Sequence, residues 1–466
     1  MLSLLAAIFL GAAPAATALE VTARGQILYQ FGVRENYHNA SAASGFKSDE
    51  ADHFFARQRA RIMVDFIASE NLRGVFQFQM GAWNWGDGGT ALDTTSASPL
   101  VRQAYIAWTW PNSDFKTAMG LQHIALPSAV ANNPMFNSIV AGVSASYELS
   151  GEFALSGFWA RPNRSNEKGY GSSANPGYKD NDMDLFALVA DWNTENFRLQ
   201  PWLMYGRIGQ DSGFWNRWGR DNGHLPINKE DTSDRYSNLY TGGIALQVNP
   251  TAELALGFDG MYGLLKNKAD DTSGGVDRFS GFLLAAKADY RLSFGTPGAM
   301  LWYASGDDAD DANESDGSKF GRMPAIGQGV FGFAPSRLAF AGAYVIGDER
   351  MLSADGTGSW GAGLYLKDVS VFEDISHVFR LVYFQGTNDK DVKAAHRLTP
   401  FNPDLYLTTK DKGFEVDFDT TWKLSNGLKL VMELGYVYMD WDDRINSAQY
   451  DKNNVWNAQI TFDYSF

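Results

Sequence analysis

The chain has 466 residues, 45% hydrophobic and 14% aromatic, which is enough apolar material for a large core, and its 47 glycines and 15 prolines are accompanied by no cysteine. A disulfide framework, a zinc–thiolate site and a cysteine nucleophile are therefore excluded. The formal net charge of −15 argues against nucleic acid or anionic lipid headgroups as the main partner.

Met1 to Leu10 is an apolar run, and Gly11 to Ala18 follow it with small residues ending in an A-x-A site. This is the pattern of a secretory signal peptide, cleaved after Ala18, although the positive residues usual before the apolar run are missing. A short N-terminal helix is the alternative. Beyond Ala18 no stretch reaches the roughly 18 to 20 uninterrupted apolar residues of a membrane helix. The expected organisation is a leader at 1–18 and one unit at 19–466, exported as a periplasmic, secreted or outer-membrane protein.

From there the chain alternates in character every second residue, the mark of strands with one apolar and one polar face. Val21 to Val33 sets Val21, Ala23, Ile27, Tyr29 and Phe31 against Thr22, Arg24, Gln26 and Gln30. Phe54 to Ala68 sets Ala56, Ala60, Ile62, Val64 and Phe66 against Arg57, Arg59, Arg61 and Asp65. Ser69 to Asn71 make a tight turn into a strand where Leu72, Phe76, Phe78 and Met80 oppose Arg73, Gln77 and Gln79.

Short connections then alternate with long polar ones. The short ones are Pro111 to Asp114, Leu149 to Gly151, Asn193 to Asn196, Asn249 to Thr251, Ser293 to Pro297, Phe372 to Ser376 and Ser425 to Gly427. The long ones include Arg161 to Asp180, Gln210 to Arg235, Gly306 to Gly358 and Asn388 to Lys412. Such asymmetry predicts an all-β transmembrane antiparallel β-barrel of about 18 strands, with 16 the nearest alternative and Leu338 to Ile346 an uncertain extra segment. Trp110, Trp192 and Phe372 stand beside short turns, as girdle residues at a membrane interface do.

The late strands alternate most cleanly. Phe414, Val416, Phe418, Trp422 and Leu424 oppose Glu415, Asp417, Asp419 and Lys423, and Leu428 to Tyr438 repeat the pattern. At the end Trp456, Ala458, Ile460, Phe462, Tyr464 and Phe466 share one parity, and the chain stops on an aromatic residue. A sheet spanning lipid has to close on itself, so the partner expected for this strand is Val21 to Val33.

Taken together, several stretches resemble the outer-membrane homotrimeric porins of sulfate-reducing bacteria. They are Val101 to Pro111, Lys116 to Ser128, Trp302 to Asp308 and Arg322 to Ile326, with the aromatic terminus. The resemblance implies a homotrimer of water-filled barrels in the outer membrane, among its lipid and lipopolysaccharide, for passive diffusion of small hydrophilic solutes and ions. It also implies that Phe466 is the signal read by the barrel-assembly machinery.

The residues suggest where selectivity resides. Arg24, Arg57, Arg59, Arg61 and Arg73 fall on corresponding faces of three neighbouring strands, either as a lumenal ladder biased to anions or as balance for Asp65, Glu415, Asp417 and Asp419 on a solvated wall. The third long-side loop, His123 to Ser138, carries no acid and is rich in apolar residues. His123, Leu126, Pro127, Asn132, Asn133 and Phe136 are its constriction candidates if it folds into the barrel, where trimeric porins commonly place this loop; packing at a trimer interface is the alternative. Asp307, Asp308, Asp310 and Asp311 could ligate calcium, although their spacing does not satisfy the calcium-loop template. No other cofactor is expected. Gly327 to Gly332 matches G-x-G-x-x-G without a βαβ setting, the six histidines lack metal-ligand spacing, and no G-x-S-x-G elbow occurs. An enzyme or an adhesin built on the barrel is the reading from another class.

Overall fold

The structure, a computed structural model, describes residues 19–36, 39–40, 43–44, 53–86, 99–163, 182–209, 212, 236–266, 276–313, 318–326, 336–340, 356–392, 406–442 and 452–466. The expected signal peptide and the Gly327 to Gly332 stretch lie outside the described residues. Eighteen strands form the wall. The first six are Glu20–Glu35 (β1), His53–Ser69 (β2), Leu72–Asn84 (β3), Leu100–Thr109 (β4), Phe115–Ala125 (β5) and Asn137–Glu148 (β6). Phe153–Asn163 (β7), Met183–Asn193 (β8), Phe197–Gly209 (β9), Tyr236–Val248 (β10), Leu254–Lys266 (β11) and Val276–Tyr290 (β12) follow. Thr296–Ala304 (β13), Ser359–Val369 (β14), Ile375–Gly386 (β15), Lys412–Ser425 (β16), Leu428–Asp440 (β17) and Asn454–Ser465 (β18) complete it.

Each wall strand pairs antiparallel with its chain neighbours, and β1 pairs with both β2 and β18, so the sheet has no free edge along the seam. The strand number is the expected 18, and the pairing of Val21 to Val33 with the terminal strand is the expected one. Ser318–Phe320 is a short extra strand that runs parallel to β12. Of the Leu338 to Ile346 segment, the described part, 338–340, is buried loop and contributes no wall strand.

Alternation sorts the wall into two faces. Outward positions carry exposed apolar side chains that no element covers: Leu188 is 71% and Leu203 69% accessible. Each Å² of such surface left in water forgoes roughly 25 cal/mol. Lipid is the solvent that removes the cost. On β11 the outward apolar run from Leu254 to Leu264 matches the roughly 9 to 11 residues that a tilted strand needs to cross a bilayer. The strand therefore spans it. Trp110, Trp192 and Phe372 stay exposed next to the short turns, and the Trp108 and Trp110 rings stack 4.4 Å apart.

The core lies inside the barrel. Along β8 to β12 the inward positions are mostly apolar, with Leu185, Val189, Trp202, Met204, Leu239 and Met261 among them. Two connections fold inward to cover them. Leu126, Val130, Met135 and Phe136 come from the loop after β5, and Phe320, Met323, Ile326, Leu338 and Phe340 from the connection between β13 and β14. A four-residue helix, Ala309–Ala312 (α1), capped by Asp308, starts that second connection.

At the seam the terminal residue is tied by its backbone: Gly25 N–H donates to Phe466 O at 2.9 Å and Phe466 N–H donates to Gly25 O at 3.1 Å. The Phe466 ring lies over Gly25, where an added Cβ would come within 2.6 Å of it. Such overpacking costs about 1–3 kcal/mol. Gly25→Leu and deletion of Phe466 should each lower the fraction of chains running as the compact, heat-modifiable barrel on a gel, while Phe466→Tyr should not. An unchanged fraction in the first two would show the contact to be dispensable.

Candidate functional site

All five candidate arginines point to the lumen, but their surroundings differ. Near the short-turn end Arg24 Nη1 donates to Asp65 at 2.6 Å, the balancing role expected as the alternative to a ladder. At the other end Arg57 is buried, its guanidinium 4.2 Å from the centre of the Phe55 ring, with Arg34 over the same ring at 4.9 Å. Arg73 is exposed at the short-turn mouth. Between these ends lie Arg59 and Arg61.

A third cation joins this stretch of wall, one the sequence reading missed. The register of β3 and β4 slips between Gln77 and Phe78, and Arg102 and Gln103, adjacent in sequence, bond the lumenal glutamines Gln79 and Gln77 respectively. A strict two-residue period would have turned one of them outward. Arg102 Nη1 and Arg61 Nε both donate to Gln79 Oε1, at 2.9 and 2.8 Å. Among the described residues neither guanidinium meets a carboxylate. Two half-buried cations thus share one neutral acceptor, and Arg59, which also faces Asp463, stands near enough to interact with both. Their remaining N–H donors suit a carboxylate or phosphate.

The acidic face of β16 corrects one expectation. Glu415, Asp417 and Asp419 point inward, but they are 0%, 2% and 7% accessible, so they neither line open pore nor balance the ladder. They form a socket for residues 336–340. Glu415 accepts Arg337 N–H at 2.7 Å, Leu338 N–H at 2.6 Å and the Ser336 hydroxyl at 2.8 Å. Arg337 Nε lies 3.6 Å from Glu433 and 3.9 Å from Asp419. Gly435 leaves room for the guanidinium, since a Cβ there would stand 2.6 Å from Arg337 Nη1. Arg380 pairs with Asp419 from the neighbouring strand. Nothing in the local pattern around Arg337 announces this role, because its partners are about 80 to 120 residues away.

The third long-side loop does fold into the barrel. Leu126 and Phe136 are buried, and the Phe136 ring stacks on lumenal Phe158 at 5.5 Å. Asn133 is buried and closes the loop by donating to Pro127 O at 2.8 Å, while Pro127 is partly covered and Asn132 exposed. His123 departs from expectation. It belongs to β5, on the outward parity, where its ring bonds Asn137 at 2.7 Å. The loop is anchored by Asp259 on β11, which accepts Ser128 Oγ at 2.6 Å, Ala129 N–H at 2.7 Å and Val130 N–H at 2.9 Å. An isolated acid on a glycine-rich strand carried no local signal of that task.

Below the loop, toward the short turns, lies a cavity of about 780 Å³. Arg73, Gln103, Tyr105, Gln122, Ser144 and Ser156 are among its walls. The four proposed calcium ligands do not gather around one point, and among the described residues no three acidic or histidine side chains form a metal-holding group. Asp307 instead binds Arg322 Nε at 2.7 Å and the Tyr406 hydroxyl at 2.9 Å, and Asp308 caps α1.

No protein-family model matches the chain, and no curated protein matches it. Solved structures do. OccK11 (OpdR) of Pseudomonas aeruginosa is 12% identical over 96% of either chain, with a TM-score of 0.52. A BenF-like porin of Pseudomonas fluorescens is 10% identical over 96% of this chain and 99% of its own, at 0.53. OpdK of Pseudomonas aeruginosa with vanillate is 9% identical over 95% and 98%, at 0.50. At such identities the likeness concerns the porin-type barrel fold.

Two substitutions probe the inserted segments in planar-bilayer recordings. Asp259→Ala removes a charged acceptor from three donors, each bond being worth about 1.5–3 kcal/mol, and should give larger, noisier conductance steps. Arg337→Ala leaves buried carboxylates without their cation, which costs about 3–5 kcal/mol, and should shift permeability toward cations. Wild-type steps and selectivity in both variants would show that neither segment shapes the pore.

Proposed function

We propose that the chain forms a water-filled pore in the bacterial outer membrane for passive diffusion of small hydrophilic solutes, biased toward anions by Arg59, Arg61 and Arg102. The supporting observation is the pair of lumenal guanidiniums on Gln79 with no carboxylate partner among the described residues. Fixed cations on a pore wall raise the local concentration of anions and oppose cations. The vanillate held by OpdK carries a carboxylate, the kind of group two guanidiniums take. No residue has a catalytic role in this reading.

Kinship with the porins of sulfate-reducing bacteria belongs to the same proposal, and with it assembly as a homotrimer and recognition of Phe466 by the barrel-assembly machinery. Reconstituted protein should give discrete conductance steps, closing in threes if it is trimeric. In a salt gradient the reversal potential should report anion preference, and the combined substitution Arg59→Ala, Arg61→Ala, Arg102→Ala should lower the anion-to-cation permeability ratio several-fold. Absence of steps would overturn the pore. Cation preference unchanged by the triple substitution would overturn the bias.

A further inference from the structure

The outward face at the long-loop ends of β7 to β12 holds a row of charge. Registers place Arg161 and Asp184, Arg207, Asn238, Lys266 and Arg278 side by side on consecutive strands. Lys319, on the short strand next to β12, extends the row. The row directly beneath is Trp159, Phe186, Tyr205, Tyr240 and Leu264, and the one below that is Gly157, Leu188, Leu203, Gly242 and Tyr262. Charge thus begins where the apolar band ends, at the height of the headgroups.

Three of these cations stand apart from ordinary surface charge. Arg161 is held by Asp182 at 3.1 Å and Asp184 at 2.8 Å. Arg207, Lys266 and Arg278 are exposed, and among the described residues none of them makes a side-chain hydrogen bond or an ion pair. The Arg207 guanidinium carbon stands 3.4 Å from the centre of the Tyr236 ring, a cation–π contact, and Asp184, already hydrogen-bonded to Arg161, is opposite Arg207 in register. Elsewhere on this rim the outward Lys412 is paired with Asp440 at 3.0 Å. On this arc three exposed cations on neighbouring strands thus stand without a hydrogen-bonded carboxylate among the described residues.

We infer that this arc docks a phosphorylated glycolipid of the outer leaflet, of the lipopolysaccharide class, with its phosphates on Arg207, Lys266 and Arg278 and an acyl chain below them. The breadth of the row favours this lipid. Strands lie about 4.8 Å apart, so Arg207 and Arg278, three strands apart, are separated by about 14 Å along the rim. That suits a disaccharide carrying a phosphate at each end better than a single headgroup phosphate. Beneath the row the wall is hollowed into an apolar groove of about 1010 Å³ whose lining includes Leu188, Leu203, Tyr240, Gly242 and Tyr262. Phosphate above and hydrocarbon below match the two chemistries of such a lipid. The chain's net charge of −15 sets no obstacle, because charges more than about a Debye length away are screened.

The inference rests on the reading that the long loops face the outer leaflet, and its test keeps the two separable. Protein in phosphatidylcholine nanodiscs doped with either bisphosphorylated glycolipid or phosphatidylglycerol would be examined by native mass spectrometry. Glycolipid should be retained by the wild type and by Arg207→Lys with Arg278→Lys, but bound roughly a hundredfold more weakly when Arg207, Lys266 and Arg278 are all changed to Gln. Lys412→Gln should change nothing. Equal retention by the triple variant, or phosphatidylglycerol retained as well as the glycolipid, would overturn the inference. Conductance steps of wild-type size in the triple variant establish that its barrel has formed, and missing steps in the wild type would sink the pore reading while leaving the lipid measurement standing.

Discussion

Every other feature depends on the pairing of β1 with β18. In hydrocarbon an unpaired backbone N–H or C=O costs several kcal/mol, so a sheet with two free edges could not remain in the membrane. Closing it fixes the strand number and sends alternate side chains to lipid and to lumen along the whole chain. The two backbone hydrogen bonds between Gly25 and Phe466 carry that closure to the last residue. A chain that ends on the lipid-facing parity finishes the ring with an aromatic side chain at the rim.

Once the ring is closed, the interior has its own problem, a wall that is basic on one arc, acidic on another and apolar on a third. The inserted connections deal with the last two. Apolar loop residues cover the apolar arc, and residues 336–340 bring Arg337 to the acids of β16 and β17. The arc with Arg61 and Arg102 receives no carboxylate among the described residues. This is how a chain of net charge −15 can present cations to a pore: Asp65, Glu415, Asp417, Asp419, Glu433 and Asp463 on the lumenal wall are buried, while Arg61 and Arg102 stay half-exposed.

Much of the wall was legible because alternation is a local property. The outward and inward sets of β1, β2, β3, β16 and β18 are those read from the residues alone, and the apolar character of the third loop foretold its insertion. His123 was assigned to that loop because strand and loop residues are equally polar at a rim, and only the hydrogen-bonding ladder tells where a strand stops. Arg102 escaped notice because a one-residue slip in register defeats a strict period of two.

The sequence by itself determined a closed membrane barrel of about 18 strands, its two faces and the seam between its ends, since these follow from period-two alternation and from the need to pair every backbone group in lipid; the pairing in the structure decided between 18 and 16. Only the tertiary structure decided which lumenal charges remain available. That depends on contacts between residues far apart in the chain, Arg337 with Glu433, Asp259 with Val130 and Arg61 with Gln79, and local pattern carries no information about which distant side chain will cover which charge.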